Sequence, residues 1–273
     1  MKMKVILATT VLLVFGADLF GEVKVDKNVA YGPHERNVMD IYWNTDYKNA
    51  PIVFTIHGGS FKFGSKEQWI KHTRKLYMDK GCVVVSPNYR MLGGKGASSI
   101  ADCVIDAAMA VAYIQANAEK FGGDSTKIVA TGRSAGAYLA YSVAYKKNWN
   151  WPASAKYKPK KLNVVGVYCD SGAGNFSWIE KNDPPAFMIY GEKEHPQTPA
   201  SKGFAMQKVL TSKGIWSKMV YVKPGGHTPG THVLEQESTR NETVFAAFSQ
   251  FLDMVCYDKG EPKGGDVIEV KKN

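Results

Sequence analysis

The chain has 273 residues, a hydrophobic fraction of 44% and a formal net charge of +10. That length suffices for one α/β domain with a substantial core, and the hydrophobic fraction excludes an intrinsically disordered protein. The lysines are spread along the chain without a nucleic-acid-binding motif, so we predict no nucleic-acid partner and only weak attraction to anionic surfaces.

The first 21 residues have the pattern of a secretory signal peptide. Lys2 and Lys4 precede an apolar run from Val5 to about Phe15, which is too short to span a bilayer comfortably. We therefore predict a signal peptide over 1–21 and a secreted or periplasmic protein without stable membrane insertion. An uncleaved anchor is the alternative.

Strand and helix patterns alternate through the rest of the chain. The predicted strands are RNVMDIYW, APIVFTIHGG, CVVVSPNYR, KIVAT, NVVGVYC, AFMIYG and SKMVYV. The predicted helices begin at Ser65, Ser99, about Ser134, Thr198 and Glu237. This alternation predicts one α/β domain over 22–257, with a mostly parallel sheet covered by helices on both faces. The polar, glycine-rich residues 258–273 are predicted to form a flexible tail.

The four cysteines lack the spacing of a metal site or a C-x-x-C motif. An exported chain can pair its cysteines, but these four adjoin apolar strand and helix patterns. We therefore predict buried free thiols and assign no bridge. The positions are Cys82, Cys103, Cys169 and Cys256.

A serine lies between glycines where the strand KIVAT gives way to a helix. In Gly132-Arg133-Ser134-Ala135-Gly136, a sharp strand-to-helix turn would strain Ser134 and expose its oxygen. A turn that merely requires a small residue is the alternative. A serine hydroxyl is a poor nucleophile without a base in reach, so a catalytic Ser134 requires a histidine elsewhere in the chain.

Candidate base and acid residues follow the last two predicted strands. His227 lies in a glycine-rich loop just after SKMVYV, and His232 is the second candidate base. Glu194 and Glu192 follow AFMIYG at a strand end, where parallel sheets place their ligand chemistry. Either carboxylate could fix the histidine tautomer and stabilise an imidazolium, and Asp183 is a third choice.

The stretch IHGGSFKFG supplies a candidate oxyanion site. Its glycines follow a buried strand directly and permit a turn whose backbone amides face inward, as a tetrahedral intermediate requires. We interpret His57 in this stretch as a structural hydrogen-bonding residue. His195, beside Glu194, is interpreted as a surface or supporting residue.

Taken together, these motifs resemble the α/β-hydrolase family. Within it, the chain is similar to the H-G-G-bearing carboxylesterases, a branch that includes hormone-sensitive-lipase-like enzymes and acetylxylan or feruloyl esterases. The resemblance extends over about residues 30–257. Its supporting stretches are YGPHERNVMDIYW, HGGSFKFGSK, VVVSPNYR, DAAMAVAYIQANAEKFGGDSTKIVATGRSAGAYLA, PPAFMIYGEKE and PGGHTPG.

The resemblance implies a three-layer α/β-hydrolase sandwich and a role for each motif. Ser134 corresponds to the nucleophile, His227 to the general base and Glu194 to the acid, with Gly132 and Gly136 flanking the nucleophile. No cofactor or metal is implied. The implied oxyanion donors are the amides of Gly59, Ser60 and Ala135.

Three positions depart from the family pattern. Ser60 replaces a third glycine, which is tolerable because the backbone is the donor. Glu194 replaces an aspartate and is one methylene longer, so Glu192 stays open as the acid. Arg133 places a cation next to the nucleophile, which either favours an acidic substrate or pairs with a structural acid.

The segment 145–161, YKKNWNWPASAKYKPKK, interrupts the alternation of strands and helices. It carries six lysines, no acid and three aromatic residues, Trp149, Trp151 and Tyr157. It is either a solvated loop whose tryptophans pack onto the fold or a cap beside the active site that helps to select the substrate.

These features predict an exported serine carboxylesterase that acts through a Ser-His-Glu triad and an acyl-enzyme. Its expected partners are short-acyl or aryl esters, small or polysaccharide-linked, with acetyl and feruloyl groups as candidates. The alternatives are an amidase, formamidase or peptidase that uses the same machinery, and a catalytically inactive carbohydrate-binding protein.

Overall fold

A computed structural model describes residues 21–94 and 96–271. The predicted signal peptide, apart from its last residue, lies outside the described residues. A nine-stranded sheet runs through the molecule in the spatial order β1-β2-β4-β3-β5-β6-β7-β8-β9. The strands are β1 (Val23–Ala30), β2 (Val38–Asn44), β3 (Ala50–Ile56), β4 (Val83–Pro87), β5 (Gly123–Arg133), β6 (Val164–Asp170), β7 (Ala186–Gly191), β8 (Ser217–Lys223) and β9 (Val267–Lys271).

The sheet is antiparallel only at its N-terminal edge. β1 pairs with β2 and β2 with β4 in antiparallel register, and every later pairing is parallel. The carboxyl ends of β3, β5, β6, β7 and β8 therefore meet at one edge of the sheet, where open α/β sheets bind their ligands.

Helices cover both faces of the sheet, and each face has its own apolar core. Neighbouring strand residues alternate between the cores: Phe54 belongs to one and Val53 to the other. α2, α3 and α4 pack on the first face, and α1 and α5 on the second. The helices are α1 (Glu67–Met78), α2 (Ile100–Asn117), α3 (Ala135–Tyr145), α4 (Ala200–Ser212) and α5 (Glu242–Tyr257). The predicted three-layer architecture is confirmed.

α2 and α3 start at the predicted caps, Ser99 and Ser134, whereas α1, α4 and α5 start later than predicted. The carboxylate of Asp102 accepts the Ser99 amide at 3.0 Å at the start of α2. By contrast, α1 begins at Glu67 rather than Ser65, because the Lys66 amide donates instead to the side chain of Asn88 at 2.7 Å. The start of α5 is preceded by short helical turns over 231–239, and the Asn241 side chain caps it.

The prediction of a loose tail over 258–273 is wrong for its last part. β9 extends the parallel sheet beside β8, with Val270 buried. Two contacts guide the chain there: the Trp216 indole donates to the Pro262 carbonyl at 2.6 Å, and Lys218 pairs with Asp266 at 2.5 Å. An added strand satisfies the main-chain groups that the edge of β8 would otherwise leave open.

Apolar side chains that the sequence placed in the core lie there. α2 and the turn that follows it (Ile100–Phe121) are long and apolar enough to cross a membrane, but most of this stretch is buried against β5 and α3. All four cysteines are buried free thiols, as predicted.

Candidate active site

Ser134 occupies the sharp turn between β5 and α3. Its backbone has φ +51° and ψ −118°, a conformation that costs a residue with a side chain free energy. The Ser134 amide is held by the Asp170 carbonyl at 2.8 Å. A Cβ atom at Gly132 would lie 2.2 Å from the carbonyl oxygen of Gly136, and one at Gly136 would lie 2.2 Å from that of Ile56. Both flanking positions therefore require glycine.

Glu194 and His227 form a tight pair at the ends of β7 and β8. The distance from Glu194 Oε2 to His227 Nδ1 is 2.5 Å, and the Glu194 side chain is only 2% exposed. The other oxygen, Oε1, accepts the Ser171 hydroxyl at 2.5 Å and the Gly191 amide at 2.8 Å. With both oxygens held, the carboxylate fixes the proton of His227 on Nδ1 and leaves Nε2 free to accept one.

The other acids considered from the sequence lie away from His227. Glu192 is exposed and, within the part of the chain that the structure describes, its side chain makes no hydrogen bond. Asp183 is paired with Lys147. The structure thus brings Glu194, rather than its neighbour on the same loop, to the histidine.

Ser134 and His227 line one cavity of about 640 Å³ at the carboxyl edge of the sheet. Among the described residues no hydrogen bond joins Ser134 Oγ to the His227 ring; such bonds are often long in free enzymes and tighten when substrate binds. His195 also lines this cavity, its ring centroid 5.9 Å from that of His227, whereas His232 does not.

The loop after β3 also lines the cavity. Gly59, Ser60 and Phe61 have φ values of +110°, +51° and +63°, so three consecutive residues adopt left-handed backbone conformations. A Cβ atom at Gly59 would lie 2.0 Å from the Phe63 carbonyl oxygen, which explains the glycine there. Ser60 takes the left-handed conformation that glycine adopts most readily.

Three backbone amides at this cavity are available as donors. Within residues 21–94 and 96–271, the amides of Gly59, Ser60 and Ala135 have no hydrogen-bond partner, and all three residues line the cavity. Ala135 opens α3, so its amide also lies at the positive end of the helix dipole. The arrangement can stabilise a negative charge that develops on an oxygen bound beside Ser134.

His57, directly after β3 and before this loop, is a buried structural residue. Its ring stacks on Tyr89 with centroids 4.3 Å apart, and its Nδ1–H donates to the Gly58 carbonyl at 2.7 Å. Burial lowers the pKa of His57 to about 4, so the ring is neutral at physiological pH.

Arg133, the residue before Ser134, pairs with buried acids. Its guanidinium contacts Glu235 and Thr231 and lies 4.0 Å from Asp170 Oδ2. The guanidinium also covers the Trp69 ring at 4.7 Å. Of the two interpretations left open by the sequence, pairing with a structural acid describes these contacts.

Sequence reasoning missed two residues at the end of β6. Asp170 accepts the Ser134 amide through its carbonyl and the Gly230 amide through Oδ1 at 3.2 Å, so it links Ser134 to the loop after β8 that carries His227. Ser171 donates to Glu194 and accepts the Thr228 amide at 2.8 Å. The sequence feature that could have identified them is a pair of polar residues at the end of a buried strand, at the sheet edge where open α/β sheets bind their ligands.

Burial raises the pKa of the Asp170 carboxyl to about 7, although the Arg133 guanidinium and the Gly230 amide act in the opposite direction. Asp170 is fully buried, and its Oδ2 has no hydrogen-bond partner among the described residues. This carboxyl is therefore a buried titratable group that helps to hold the loop carrying His227 in place.

The chain is similar in sequence to known esterases. The BD-FAE family model matches residues 39–170, which include the loop after β3 and Ser134. Esterase LipQ of Mycobacterium tuberculosis is 24% identical over 84% of this chain and 62% of its own length. Venom carboxylesterase-6 of Apis mellifera is 36% identical over 59% of this chain and 25% of its own. The chain thus spans less than two thirds of the length of these curated relatives.

Solved structures share the fold. The butyrate-bound form of esterase Est2 from Thermogutta terrifontis superposes with a TM-score of 0.70 at 18% sequence identity, covering 89% of this chain and 97% of that one.

Proposed function

We propose that the chain is a serine carboxylesterase of the α/β-hydrolase family, with Ser134 as nucleophile, His227 as general base and Glu194 as acid. The observation that carries this proposal is the pair between Glu194 and His227 at 2.5 Å, which borders the same cavity as the strained turn of Ser134. The names of the relatives support the reaction class.

The proposed reaction proceeds through an acyl-enzyme. Ser134 Oγ attacks the ester carbonyl carbon while His227 Nε2 takes its proton, and Glu194 stabilises the imidazolium. The amides of Gly59, Ser60 and Ala135 bind the oxyanion, a contribution for which one donor is typically worth about 2.7–4 kcal/mol. His227 then protonates the leaving alcohol, and a water activated by the same base releases the acid.

We propose short-acyl or aryl esters as the substrates, with acetyl and feruloyl groups on polysaccharides as candidate natural esters. Aromatic side chains dominate the apolar lining near Ser134, where they favour a small or planar acyl group; they are Phe61, Phe63, Trp69, Tyr138 and Phe176. The lysine-rich segment 145–161 adds a basic surface suited to polyanionic cell-wall material.

The test is hydrolysis of nitrophenyl acetate, butyrate and octanoate by the wild type and by Ser134→Ala. We expect the wild-type rate to fall with acyl length and the variant to lose activity. Equally negligible rates for two folded proteins would favour an amide substrate or a binding role instead.

We also propose that the protein is exported, on the lysine-plus-apolar pattern of residues 1–21. N-terminal sequencing of protein recovered from the medium or periplasm checks this, since a retained Met1 there would contradict cleavage.

A further inference from the structure

A second cavity of about 550 Å³ adjoins the first one. Tyr138 lines both cavities, one helical turn after Ser134 on α3, and its amide donates to the Ser134 carbonyl at 3.2 Å. The short turn Phe176–Trp178 also borders both, with Phe176 in the first cavity and Trp178 in the second. A molecule bound at Ser134 therefore lies next to the second cavity, which shares Tyr138 with the first.

The second cavity, which we call the tryptophan cavity, is lined by Trp149 and Trp178 with Lys146 between them. The Lys146 Nζ atom lies 5.6 Å from the centroid of each indole, which keeps both rings near one cation. Trp149 is backed by Trp151, whose ring stacks on it at 5.6 Å and whose indole N–H donates to the Pro159 carbonyl at 3.1 Å. The aromatic surface is therefore held in place before any ligand arrives.

The polar groups of the tryptophan cavity are available to a ligand. Within the described residues, Lys146 has no ion pair, and neither Trp149 nor Trp178 donates its indole N–H to a protein acceptor. Asn150 lines the cavity and is exposed. The side chain of Asp102 is 29% exposed, but its carboxylate already accepts the Ser98 and Ser99 amides and lies 3.6 Å from Arg90. The cavity thus combines flat apolar faces with hydrogen-bonding groups.

We propose that the tryptophan cavity binds a pyranose ring on the alcohol side of the ester. A sugar presents C–H groups on its flat faces, which pack on indoles, and hydroxyls at its edge, which pair with ammonium and amide groups. An acyl chain would leave Lys146 and the two indole N–H groups unpaired, and a simple anion would leave the two indole rings unused. This assignment rests on the proposed function, because it places the scissile ester at Ser134.

The test compares two pyranose esters, acetylated xylotetraose and glucose pentaacetate, with nitrophenyl acetate. In Trp149→Ala and Trp178→Ala we expect KM for the sugar esters to rise about tenfold, the loss of roughly one aromatic contact, while kinetics on nitrophenyl acetate stay unchanged. Trp149→Phe should recover most of the affinity. The matched control is Trp43→Ala, because Trp43 is a half-buried tryptophan of β2 that lines neither cavity. This variant should leave KM unchanged for the sugar esters and for nitrophenyl acetate.

A binding measurement separates this proposal from the proposed function. Ser134→Ala should bind acetylated xylotetraose in calorimetry, and adding Trp149→Ala should weaken that binding about tenfold. If the wild type hydrolyses no ester while this binding pattern holds, the esterase proposal fails and the sugar site stands. Unchanged KM and binding in both tryptophan variants, or equal losses on nitrophenyl acetate, would overturn the sugar site.

Discussion

The carboxyl edge of the sheet, which carries Ser134, and the segment 145–161 line their cavities in different ways. At the carboxyl edge the backbone determines the geometry: Ser134 is held at φ +51°, and Gly132 and Gly136 have no room for a Cβ atom. After Tyr145, the last residue of α3, segment 145–161 has no helix or strand, and Trp149 and Trp151 are held by each other, by Lys146, by the Pro159 carbonyl and by the edge of the core. The proposed chemistry therefore rests on backbone sterics and the proposed recognition on side chains, so substitutions should separate the two.

The largest effect should come from the acid, where two neighbouring glutamates provide a matched pair. Glu194→Ala removes the partner of His227 and should lower kcat/KM by a factor on the order of 10⁴. Glu192→Ala changes an exposed side chain of the same loop and should keep the activity within about twofold. Steady-state kinetics with nitrophenyl acetate decides between them, and the reverse pattern would transfer the role to Glu192.

A smaller effect should appear in the pH dependence of stability. The pKa of Asp170 is about 7 in the folded protein and near 4 in the unfolded chain, because burial disfavours its charged form. The folded protein thus binds this proton more tightly, so the free energy of unfolding contributed by Asp170 is fully present below pH 4. It falls as the pH rises through about 7, by up to roughly 4 kcal/mol.

Asp170→Asn should flatten that decline, as measured by urea unfolding between pH 4 and pH 9. The groups that face this carboxyl are Arg133, Tyr168, Glu194 and His227, and they are unchanged in the variant. A decline of the same size in Asp170→Asn would assign it to one of these neighbours instead.

The smallest of the three effects should come from steric crowding at the turn that holds Ser134. Gly132→Ala places a Cβ atom 2.2 Å from a backbone oxygen and should lower the free energy of unfolding by about 1–3 kcal/mol and reduce activity. In Gly226→Ala, in the loop after β8, the added Cβ atom has no other atom within 4 Å, so this variant should be tolerated. Equal melting temperatures for the two variants would remove the steric argument.

The sequence predicted the central strands and the sites at their ends because buried parallel strands are nearly continuous apolar runs. It did not predict β1 or β9. These edge strands alternate apolar residues with exposed charged ones, and their pairing depends on distant contacts such as Trp216 with Pro262.

The sequence alone also did not decide whether Glu194 or Glu192 is the partner of His227. Both glutamates follow β7, and they differ in how the loop turns after Gly191. Glu194 reaches His227 because its second oxygen closes that turn on the Gly191 amide and the Ser171 hydroxyl. The partner of Arg133 was likewise set by tertiary structure, since Glu235 is 102 residues away in the chain.

The most direct test of the central claim is reaction of the purified protein with a fluorophosphonate, followed by peptide mass spectrometry. We expect one adduct per chain, located on Ser134, and none in folded Ser134→Ala. A folded wild-type protein that stays unlabelled, or an adduct on another residue, would contradict the assignment of Ser134 as the nucleophile.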